Sequence, residues 1–587
     1  MNIPQSYLDD LCAFIERKHP SKEDIAKEKV RLCKEHNLKR IPTDIQILLH
    51  LPFEKAKQLR SFLQTKPIRT ASGVVPIALM TRPERCPHGV CTYCPGGPGS
   101  VFGDVPQSYT GKEPSTMRSI RGNYDPYLIV INRIEQFIVL GHEFDKCDVI
   151  IQGGTFCALD KAYQEEFVTL IFKAMNDFSK LFFEGDSFDY AYFKDFFEVF
   201  GELGDENRKQ RIHNRLRALK HINCEQYSRE ELKKIVAQEL QGEESPLSLE
   251  REHQRNEHAK IKCIGLTIET KPDWGLLVHG LEMLKLGCTR IELGVQTVYD
   301  EVLRKTNRGH TLEDTKKSIQ ILKDLAFKLN FHMMLGLPGV TREKDIASLK
   351  EIFENPSYRP DMLKIYPCLV MPGTALYAQY KNGIFTPLTT DEAADIIVES
   401  FKFIPEYCRV MRVNRDIPTY RTEAGVDRTN LRQYVDELAK KRGITSRDIR
   451  AREITNYKGS VGTPEIKVLE YEASGGVDFF ISAEYDDYLL GFVRMRFPSQ
   501  ELTKEITPCS ALIRELHVYG PAVGVGKQER DKVQHKGIGK LLMKKAEDIA
   551  RKRGKKKMLV ISGVGVRGYY KQKLGYVQDG PYVSKAL

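Results

Sequence analysis

Residues 85–97 read Arg-Cys-Pro-His-Gly-Val-Cys-Thr-Tyr-Cys-Pro-Gly-Gly, and the rest of the chain is organised around them. Cys86, Cys91 and Cys94 fall within this stretch in C-x4-C-x2-C spacing. The surrounding prolines and glycines favour a tight loop over a helix, so the three sulfurs can turn towards one point. Three thiolates supply three of the four ligands of a [4Fe–4S] cluster and leave one iron open to a small molecule. The alternative is a zinc site with His88 as fourth ligand.

The segments that flank this loop predict a parallel α/β sheet. Nearly continuous apolar runs alternate with helical patterns from residue 74 onward, and they cover residues 75–80, 147–152, 261–268, 290–295, 331–336 and 362–368. Such runs are typical of parallel strands covered on both faces, with crossover helices between them. We therefore expect a partial (β/α)6 barrel over residues 71–370. Its ligands should lie at the carboxyl ends of the strands, where the cysteine loop follows the first strand.

Other conspicuous segments follow the later predicted strands. They are residues 153–156, which contain Gly153 and Gly154, and residues 269–273, 296–297 and 336–339. A charged insertion at about residues 201–260 interrupts the barrel pattern. Its composition predicts solvated helices with a flexible acidic stretch near residues 242–245, and we assign it no catalysis.

The regions before and after the barrel differ in pattern. Residues 1–70 predict short amphipathic helices with basic faces, which suit either a contact with nucleic acid backbone or a helical cap on the next domain. Residues 371–460 resemble a linker or interface region. Arg409, Arg412 and Arg415 are spaced three apart there. They form a phosphate-reading row if they lie in a strand or loop near a cleft, or a solvated stripe if they lie on a helix.

Residues 461–587 predict an α+β domain, because antiparallel strand patterns precede a strand, glycine loop, helix and strand. Gln534, Gly537 and Gly539 form a Q-x-x-G-x-G turn that opens an amphipathic helix. Backbone N–H groups and a helix N-terminus of this kind bind a diphosphate, and coenzyme A fits the arrangement. Tyr569 and Tyr570 on the next helix could place a phenol near the thioester sulfur, although paired tyrosines also serve core packing.

Composition and charge narrow the class of protein. The chain has 587 residues, 41% hydrophobic and 29% charged, which indicates a soluble protein of two to four domains. Residues 521–587 carry 17 Lys and Arg against 5 Asp and Glu, so a phosphate-bearing partner is expected there. Apart from the trio, the 13 cysteines are scattered singly. We expect reduced thiols, a cytoplasmic location and no membrane segment.

The motifs together resemble the catalytic subunit family of the Elongator complex, in its single-chain, archaeal-like form. The matching segments cover nearly the whole chain and are residues 86–97, 107–114, 125–127, 153–156, 292–297, 414–418, 515–520, 574–576 and 579–582. That family joins a radical S-adenosylmethionine (SAM) domain to a GNAT-like acetyltransferase domain. It modifies the wobble uridine of tRNA at carbon 5.

The resemblance implies roles for residues of this chain. Cys86, Cys91 and Cys94 match the cluster ligands, and Gly153 and Gly154 match the segment that lies against the methionine part of SAM. Lys271 and Gln296 match polar positions that line the same cleft. Lys271 is a candidate catalytic residue that could bind a carboxylate or the acetyl group. The residues that the resemblance implies bind acetyl-CoA are Glu515, Leu516, His517, Val518, Gln534, Gly537, Gly539, Tyr569 and Tyr570. The two tyrosines are also candidate catalytic residues.

The implied activity is the transfer of a carboxymethyl group from acetyl-CoA to carbon 5 of the wobble uridine. Because the new bond joins two carbons, ordinary acyl transfer does not form it and a radical is needed. The implied partners are acetyl-CoA and the tRNA anticodon stem-loop. In an archaeal setting the chain is expected to act alone or with a second copy of itself, and in a eukaryotic setting with Elongator subunits. The alternatives are a histone-type lysine acetyltransferase with a structural iron–sulfur or zinc site, and a zinc-stabilised tRNA-binding scaffold.

Overall fold

The computed structural model describes residues 3–65, 72–201, 205–238, 246–457, 461–519 and 537–587. The acidic stretch expected near residues 242–245 and the coenzyme A candidate Gln534 lie outside the described residues. None of the helices in the described ranges is both long and apolar enough to cross a membrane.

The described helices are numbered in chain order. They are α1 Gln5–Lys18, α2 Lys22–Glu35, α3 Asp44–His50, α4 Phe53–Leu63, α5 Pro114–Arg121, α6 Pro126–Val139, α7 Lys161–Phe182, α8 Tyr190–Phe196, α9 Glu206–His221, α10 Arg229–Gln238, α11 Leu249–His258, α12 Leu277–Lys285, α13 Asp300–Lys305, α14 Leu312–Asp324, α15 Arg342–Glu354, α16 Ala375–Lys381, α17 Thr390–Ser400, α18 Leu431–Lys441, α19 Ile538–Lys552 and α20 Arg567–Leu574.

The described strands are numbered in the same way. They are β1 Val75–Met80, β2 Gly97–Ser100, β3 Gly103–Val105, β4 Lys146–Gln152, β5 Phe183–Glu184, β6 Ser187–Phe188, β7 Lys262–Thr270, β8 Arg290–Gln296, β9 Lys328–Leu335, β10 Met362–Pro367, β11 Arg409–Arg412, β12 Glu465–Ala473, β13 Gly476–Tyr485, β14 Tyr488–Phe497, β15 Ser510–Val518, β16 Lys557–Val560, β17 Val577–Asp579 and β18 Tyr582–Ala586.

The first large sheet has seven strands in the order β1-β4-β7-β8-β9-β10-β11. Strands β7 to β11 pair in parallel with their neighbours. Every residue of β8 is buried, as expected of a central parallel strand covered on both faces. The prediction of a parallel partial barrel is confirmed, and β11 adds a seventh strand that the apolar pattern does not indicate.

The second large sheet also has seven strands, in the order β12-β13-β14-β15-β16-β18-β17. Strands β12 to β15 form an antiparallel meander, and β15 then pairs in parallel with β16. Helix α19 lies between these two strands in the chain, so this unit has the strand, helix, strand order that the sequence predicts. The α+β fold of the C-terminal region is confirmed.

The chain divides into two compact units, each formed from more than one segment. The first comprises Met1–Ile77, Pro126–Cys147 and Val168–Cys263, and the second comprises Ala78–Asp125, Asp148–Phe167 and Ile264–Leu587. In the first unit, helices α1 to α4 bury one apolar cluster that includes Tyr7, Leu11, Ile15 and Leu48. The three- and four-residue spacing of these side chains makes the helices amphipathic.

The charged insertion differs from its prediction in one respect. Its helices are present as α9, α10 and α11, but α11 is not simply solvated. Glu252 and Arg255 on α11 are paired at 2.8 Å, and Arg255 also bonds the buried Asp177 at 2.8 Å. Lys173 bonds Asp177 at 2.5 Å and the carbonyl of Ile222 at 2.8 Å. These charged residues therefore form buried ion pairs inside the first unit, where each ion has a partner of opposite charge.

Candidate functional site

The cysteine loop closes through two backbone turns. The Gly89 amide donates to the Cys86 carbonyl at 3.0 Å, and the Cys94 amide donates to the Cys91 carbonyl at 3.0 Å. Cys91 and Cys94 are buried, and Cys86 is partly exposed. All three cysteines line one cavity of the second unit. The structure thus brings the three predicted ligands to one wall of a cleft.

The spacing of the sulfurs bears on which metal group they hold. A tetrahedral zinc ion with Zn–S bonds of about 2.3 Å brings its sulfur ligands to within roughly 4 Å of one another. Among the described residues, the three cysteines and His88 include no set of three whose ligand atoms all lie within 4.8 Å of one another. A four-iron cluster binds its thiolates on separate iron atoms and so spaces them more widely. The arrangement therefore fits a [4Fe–4S] cluster better than a zinc ion.

The environment of the thiols also fits a cationic group. Burial raises the pKa of the Cys94 thiol to about 11 and raises that of Cys86, despite the opposing charges of Arg308 and Lys271 near Cys86. Buried thiolates are unfavourable unless a positive charge compensates them, and bound metal deprotonates such thiols outright. An iron–sulfur core supplies that charge.

Gly153 and Gly154 lie at the carboxyl end of β4, beside the cysteine loop. Their φ angles are 122° and 101°, a region that side chains other than glycine rarely adopt. A Cβ atom on Gly153 would lie 2.6 Å from the Thr81 hydroxyl, and one on Gly154 would lie 3.8 Å from the Cys86 sulfur. Gly154 lines the cavity beside Cys86, so the backbone is bare there where a ligand of the cluster would approach, which fits the methionine part of SAM. Gly153 instead packs on Thr81.

Gln296 and Lys271 line the same cavity. Gln296 has a φ of 70° at the end of β8, and its buried Oε1 atom has no hydrogen-bond partner among the described residues. The Lys271 ammonium lies 3.3 Å from the Asp273 carboxylate, and burial together with the Arg308 charge lowers its pKa. An unpaired amide oxygen and a buried ammonium fit a polar ligand that carries both donor and acceptor groups.

A row of charged side chains crosses the floor of the barrel, and sequence reasoning did not predict that its members adjoin. Glu269 on β7 pairs in register with Glu292 on β8, while Lys364 on β10 pairs with His332 on β9 and with Arg412 on β11. Four of these five line the cavity with the cysteines. Alternation along each strand points these side chains to one face, but only the strand register shows that they adjoin.

Hydrogen bonds hold the acidic half of this row. Glu292 is bonded by Lys364, and the His332 Nε2 lies 2.9 Å from its carboxylate. The Lys364 charge and the His332 hydrogen bond outweigh burial and hold the pKa of Glu292 well below its ordinary value. Burial and the Glu292 charge raise the pKa of Glu269 to about 7. Glu269, Glu292 and His332 do bring ligand atoms within 4.8 Å of one another, but Lys364 already balances their charge, so a metal ion is not required there.

The three arginines of the predicted row, Arg409, Arg412 and Arg415, lie in two different environments. Arg412 and Arg415 line the cavity, and Arg415 donates to the Ser108 carbonyl. Arg409 instead donates to the Tyr519 hydroxyl at 2.8 Å and pairs with Glu453. Because β11 is a strand, the solvated helical stripe is wrong. Two of the three arginines are placed to meet an anionic ligand in the cleft.

The predicted acetyl-CoA residues separate into two groups. A Cβ atom on Gly539 would lie 3.1 Å from the Tyr569 hydroxyl and 3.7 Å from Val518, so these residues adjoin, with Leu516 close by. Gly537 caps α19 with a φ of 73°. The Tyr569 side chain is 37% exposed, whereas Tyr570 is buried against Tyr576 with ring centroids 6.0 Å apart. Tyr569 can therefore reach a ligand, and Tyr570 packs the core.

The side chains of Glu515 and His517, the other two predicted residues of β15, point away from Gly539 and Tyr569. Glu515 accepts a hydrogen bond from the Arg494 guanidinium at 2.9 Å, and the His517 ring stacks on Phe492 with centroids 5.7 Å apart. Successive residues of a strand face opposite sides of the sheet, so Glu515 and His517 lie on the face opposite Leu516 and Val518. Their side chains are not placed to bind the same ligand as Tyr569.

Comparison with known proteins decides the family. The sequence matches the Radical SAM superfamily over residues 225–352, a Radical SAM C-terminal domain over residues 360–441, the ELP3 N-terminal domain over residues 10–71 and the Acetyltransferase (GNAT) family over residues 448–576. A tRNA uridine(34) acetyltransferase of Methanocaldococcus jannaschii is 42% identical over 93% of this chain and 90% of that protein. Elongator complex protein 3 of Saccharomyces cerevisiae is 38% identical over 95% of this chain and 91% of that protein.

The chain belongs to the Elongator complex protein 3 family. A solved structure agrees with this assignment: the archaeal Elp3 of Methanocaldococcus infernus with an N-terminal deletion. It shares 35% identity with this chain, with a TM-score of 0.68, and the match covers 88% of this chain and 100% of that one.

Membership of the Elongator complex protein 3 family confirms the cofactors expected from the sequence. The radical SAM domain implies a [4Fe–4S] cluster and SAM, and the GNAT domain implies acetyl-CoA. When bound, the cluster and SAM would supply a carbon-centred radical. The residues of this chain would bind and orient the cofactors and shield that radical. The chain is an enzyme of this family.

Proposed function

We propose that this protein uses radical SAM chemistry and acetyl-CoA to place a carboxymethyl group on carbon 5 of the wobble uridine in tRNA. The observation that carries this proposal is the combination, in one compact unit, of the cysteine cavity and the GNAT sheet. A lysine acetyltransferase would use the GNAT sheet alone. It would leave the cysteines, the two glycines with positive φ and the charged row of the barrel without a role.

Each part of the cavity then has a task in the proposed reaction. Cys86, Cys91 and Cys94 hold the cluster, and Gly154 allows SAM to approach it, while Gly153 packs on Thr81 and lets the backbone turn at this point. The carbon-to-carbon bond is formed within a cavity whose walls limit access of water to reactive groups. This division of labour is typical of cofactor enzymes, in which the protein supplies position and electrostatics.

Lys271 and Tyr569 are our candidates for contact with the reacting groups. Lys271 is buried, and its ammonium has only Asp273 as an ion-pair partner among the described residues. It can bind a carboxylate or the acetyl carbonyl. Tyr569 lies beside Gly539 and can donate a hydrogen bond to the thioester sulfur of coenzyme A. We assign Tyr570 to packing instead of catalysis, because it is buried against Tyr576.

The tRNA substrate requires cationic surface outside the cavity. Lys34, Lys39 and Arg40 lie exposed at and after the end of α2, and none has an ion-pair partner among the described residues. Exposed, unpaired cations of this kind bind phosphate. The wobble base must leave the anticodon stack to reach a buried cavity, which costs least in a single-stranded loop.

Location and assembly are part of the proposal. None of the 13 cysteines, all of which are among the described residues, forms a disulfide, which suits a reducing compartment such as the cytoplasm. A chain of this kind is expected to work alone or as a pair in an archaeal setting, and with Elongator subunits in a eukaryotic one. These expectations follow from the family resemblance.

The proposal is tested by analysing tRNA nucleosides from cells in which this gene is replaced by Cys91→Ala. We expect carboxymethyl-type nucleosides at the wobble position to disappear, because one cluster ligand is lost. Cys509→Ala is the matched control, since Cys509 is a free cysteine outside the loop. It should leave the nucleosides unchanged. Normal levels in Cys91→Ala would refute the proposed function.

A further inference from the structure

Residues 306–310 form a second segment that contacts the cysteine loop. The Thr92 amide donates to the Thr306 carbonyl at 3.0 Å, and the Asn307 side chain donates to the Val90 carbonyl at 2.9 Å. These bonds fix residues 306–310 against the part of the loop that contains Cys91.

The next two residues of this segment complete the contact. Gly309 has a φ of 76°, and a Cβ atom there would lie 2.6 Å from His88. The backbone therefore packs directly on the imidazole. Arg308, one residue earlier, extends its guanidinium to the Cys91 sulfur, where the Nη1–Sγ distance is 3.7 Å. The position of Arg308 follows from the contacts on either side of it.

The guanidinium is held in place from the barrel side as well. Its Nη2 atom donates to the Gly294 carbonyl on β8 at 3.0 Å. A Cβ atom on Gly294 would lie only 2.3 Å from the same Nη2 atom, so any larger residue would displace the guanidinium. The absence of a side chain at Gly294 is thus what lets Arg308 reach the sulfur.

Cys91 differs from the other two cysteines in its neighbours. Its sulfur faces the Arg308 guanidinium at 3.7 Å and the His88 Nε2 at 3.3 Å. The sulfurs of Cys86 and Cys94 contact hydroxyl and amide oxygen atoms, at 3.4 to 3.7 Å. Among the described residues, Cys91 is the one of the three cysteines whose sulfur is hydrogen-bonded by a permanently charged side chain.

We propose that Arg308 raises the reduction potential of the cluster held by Cys86, Cys91 and Cys94, by placing a permanent charge and an N–H donor against the Cys91 sulfur. A reduced cluster carries one more negative charge than an oxidised one, and a nearby cation stabilises the more negative form. Hydrogen bonds to the ligand sulfurs act in the same direction. Arg308 is thus a tuning residue that acts through Cys91 and takes no proton in the reaction.

The electron in this step comes from an external low-potential, one-electron donor such as dithionite. It enters the cluster, and no bond is made or broken in the protein. Arg308 changes only the relative free energy of the two oxidation states. The inference concerns the cluster alone, so it does not depend on whether tRNA is the substrate.

The test is a redox titration of the reconstituted full-length protein without SAM, followed by electron paramagnetic resonance. Arg308→Met removes the charge and the donor but keeps a long side chain. At a fixed potential we expect at least a tenfold lower ratio of reduced to oxidised cluster, which equals about 59 mV for a one-electron couple. Omitting SAM removes any effect of Arg308 on the binding of that ligand.

Two further variants make the result specific. Gly294→Ala should shift the potential in the same direction while keeping the arginine, because its Cβ displaces the guanidinium. Arg304→Met removes an exposed arginine from α13 and should leave the potential unchanged, since exposed charges are screened.

Two results would overturn the proposal. One is an Arg308→Met cluster with normal iron content and a wild-type midpoint potential. The other is loss of the cluster from both Arg308→Met and Gly294→Ala, because a residue that only tunes the potential is not needed to assemble the cluster.

Discussion

Glu269 shows how strongly the ionisation of one side chain depends on its strand neighbours. Its carboxyl group accepts from Gln152 at 3.1 Å and from the Tyr109 hydroxyl at 3.3 Å, yet the adjoining Glu292 is already ionised. Burial and that like charge raise the pKa of Glu269 to about 7. The two carboxyl groups share one site but differ in charge near neutral pH, because Lys364 hydrogen-bonds Glu292 and, among the described residues, does not hydrogen-bond Glu269.

We predict that Glu269→Gln makes thermal stability less dependent on pH. The folded protein favours protonated Glu269, so its contribution to stability is present below pH 4.5 and is lost as the pH rises through about 7. At about 1.4 kcal/mol per pKa unit, the rise of the pKa from 4.5 to about 7 corresponds to a cost at high pH of about 3.5 kcal/mol. Thermal midpoints measured at pH 5 and pH 8 should therefore differ less in Glu269→Gln than in the wild type.

The control for this prediction is Glu465→Gln, at an exposed position at the start of β12. That variant should keep the pH dependence of the wild type. If Glu269→Gln lost as much stability as the wild type between the two pH values, Glu269 would not be protonated in the folded protein near neutral pH.

At this scale the sequence predicts only part of the site. C-x4-C-x2-C spacing identifies Cys86, Cys91 and Cys94, because the ligands of a loop are local in sequence. Arg308 lies more than 200 residues from Cys91 and carries no local signal of its role. Its partner Gly294 reads as an ordinary strand glycine until the guanidinium beside it is seen.

At the scale of elements, the packing of β13, β14 and β15 on the neighbouring helix α14 depends on buried ions. Arg496 on β14 bonds Asp324 on α14 and Asp478 on β13, at 2.7 and 2.8 Å. Lys323 bonds Asp478 at 2.8 Å, and Arg514 on β15 bonds Asp361. The surrounding cations, Lys323 first, hold the pKa of Asp478 below its ordinary value despite burial.

We predict that Arg496→Met destabilises the protein severely. It leaves Asp324 and Asp478 without one cationic partner each, and removing one partner of a buried pair costs about 3–5 kcal/mol. The measurement is the thermal midpoint of the purified protein, together with its soluble yield. Lys350→Met is the control, because it removes one partner of an exposed pair with Glu354, which is worth about 0.5 kcal/mol at most. Equal midpoints for the two variants would contradict the prediction.

The strands show where sequence patterns are reliable and where they are not. Strand β1 begins and ends at the predicted residues, and β8 and β10 begin at theirs, because each has a long apolar run. Strand β11 has four residues and contains two arginines, so its composition resembles a loop. It forms because β10 offers a parallel edge, a condition that lies outside its own sequence.

The buried ions explain a second limit of prediction. Charged residues such as those of α11 and α14 are expected at the surface, because charge is usually exposed. Lys323 and Asp324 are instead fully buried at the end of α14. A single sequence does not indicate which charged residues will find partners in distant segments.

At the scale of the whole molecule, the net charge of +11 governs the approach of a polyanion. Our candidates for phosphate contact in the first unit are Lys39 and Arg40. We predict that Lys39→Glu combined with Arg40→Glu weakens tRNA binding and reduces its salt dependence. Each lost phosphate contact should reduce the slope of log K against log salt by about 0.7–0.9.

Binding is measured by filter retention or anisotropy at several salt concentrations. The control is Lys350→Glu combined with Lys402→Glu, which changes the net charge equally at other exposed positions. An equal loss of affinity in both double variants would show that net charge alone matters, and the assignment of these two residues would then be wrong.

The most direct test of the account follows the carbon atoms of the acetyl group. Reconstituted protein is incubated under anaerobic conditions with reductant, SAM, tRNA and acetyl-CoA carrying two ¹³C atoms, and the nucleosides are analysed by mass spectrometry. We predict a wobble uridine bearing both labelled carbons in a carboxymethyl group, and no such product from Cys91→Ala. Label found on protein lysines and absent from tRNA would contradict the account.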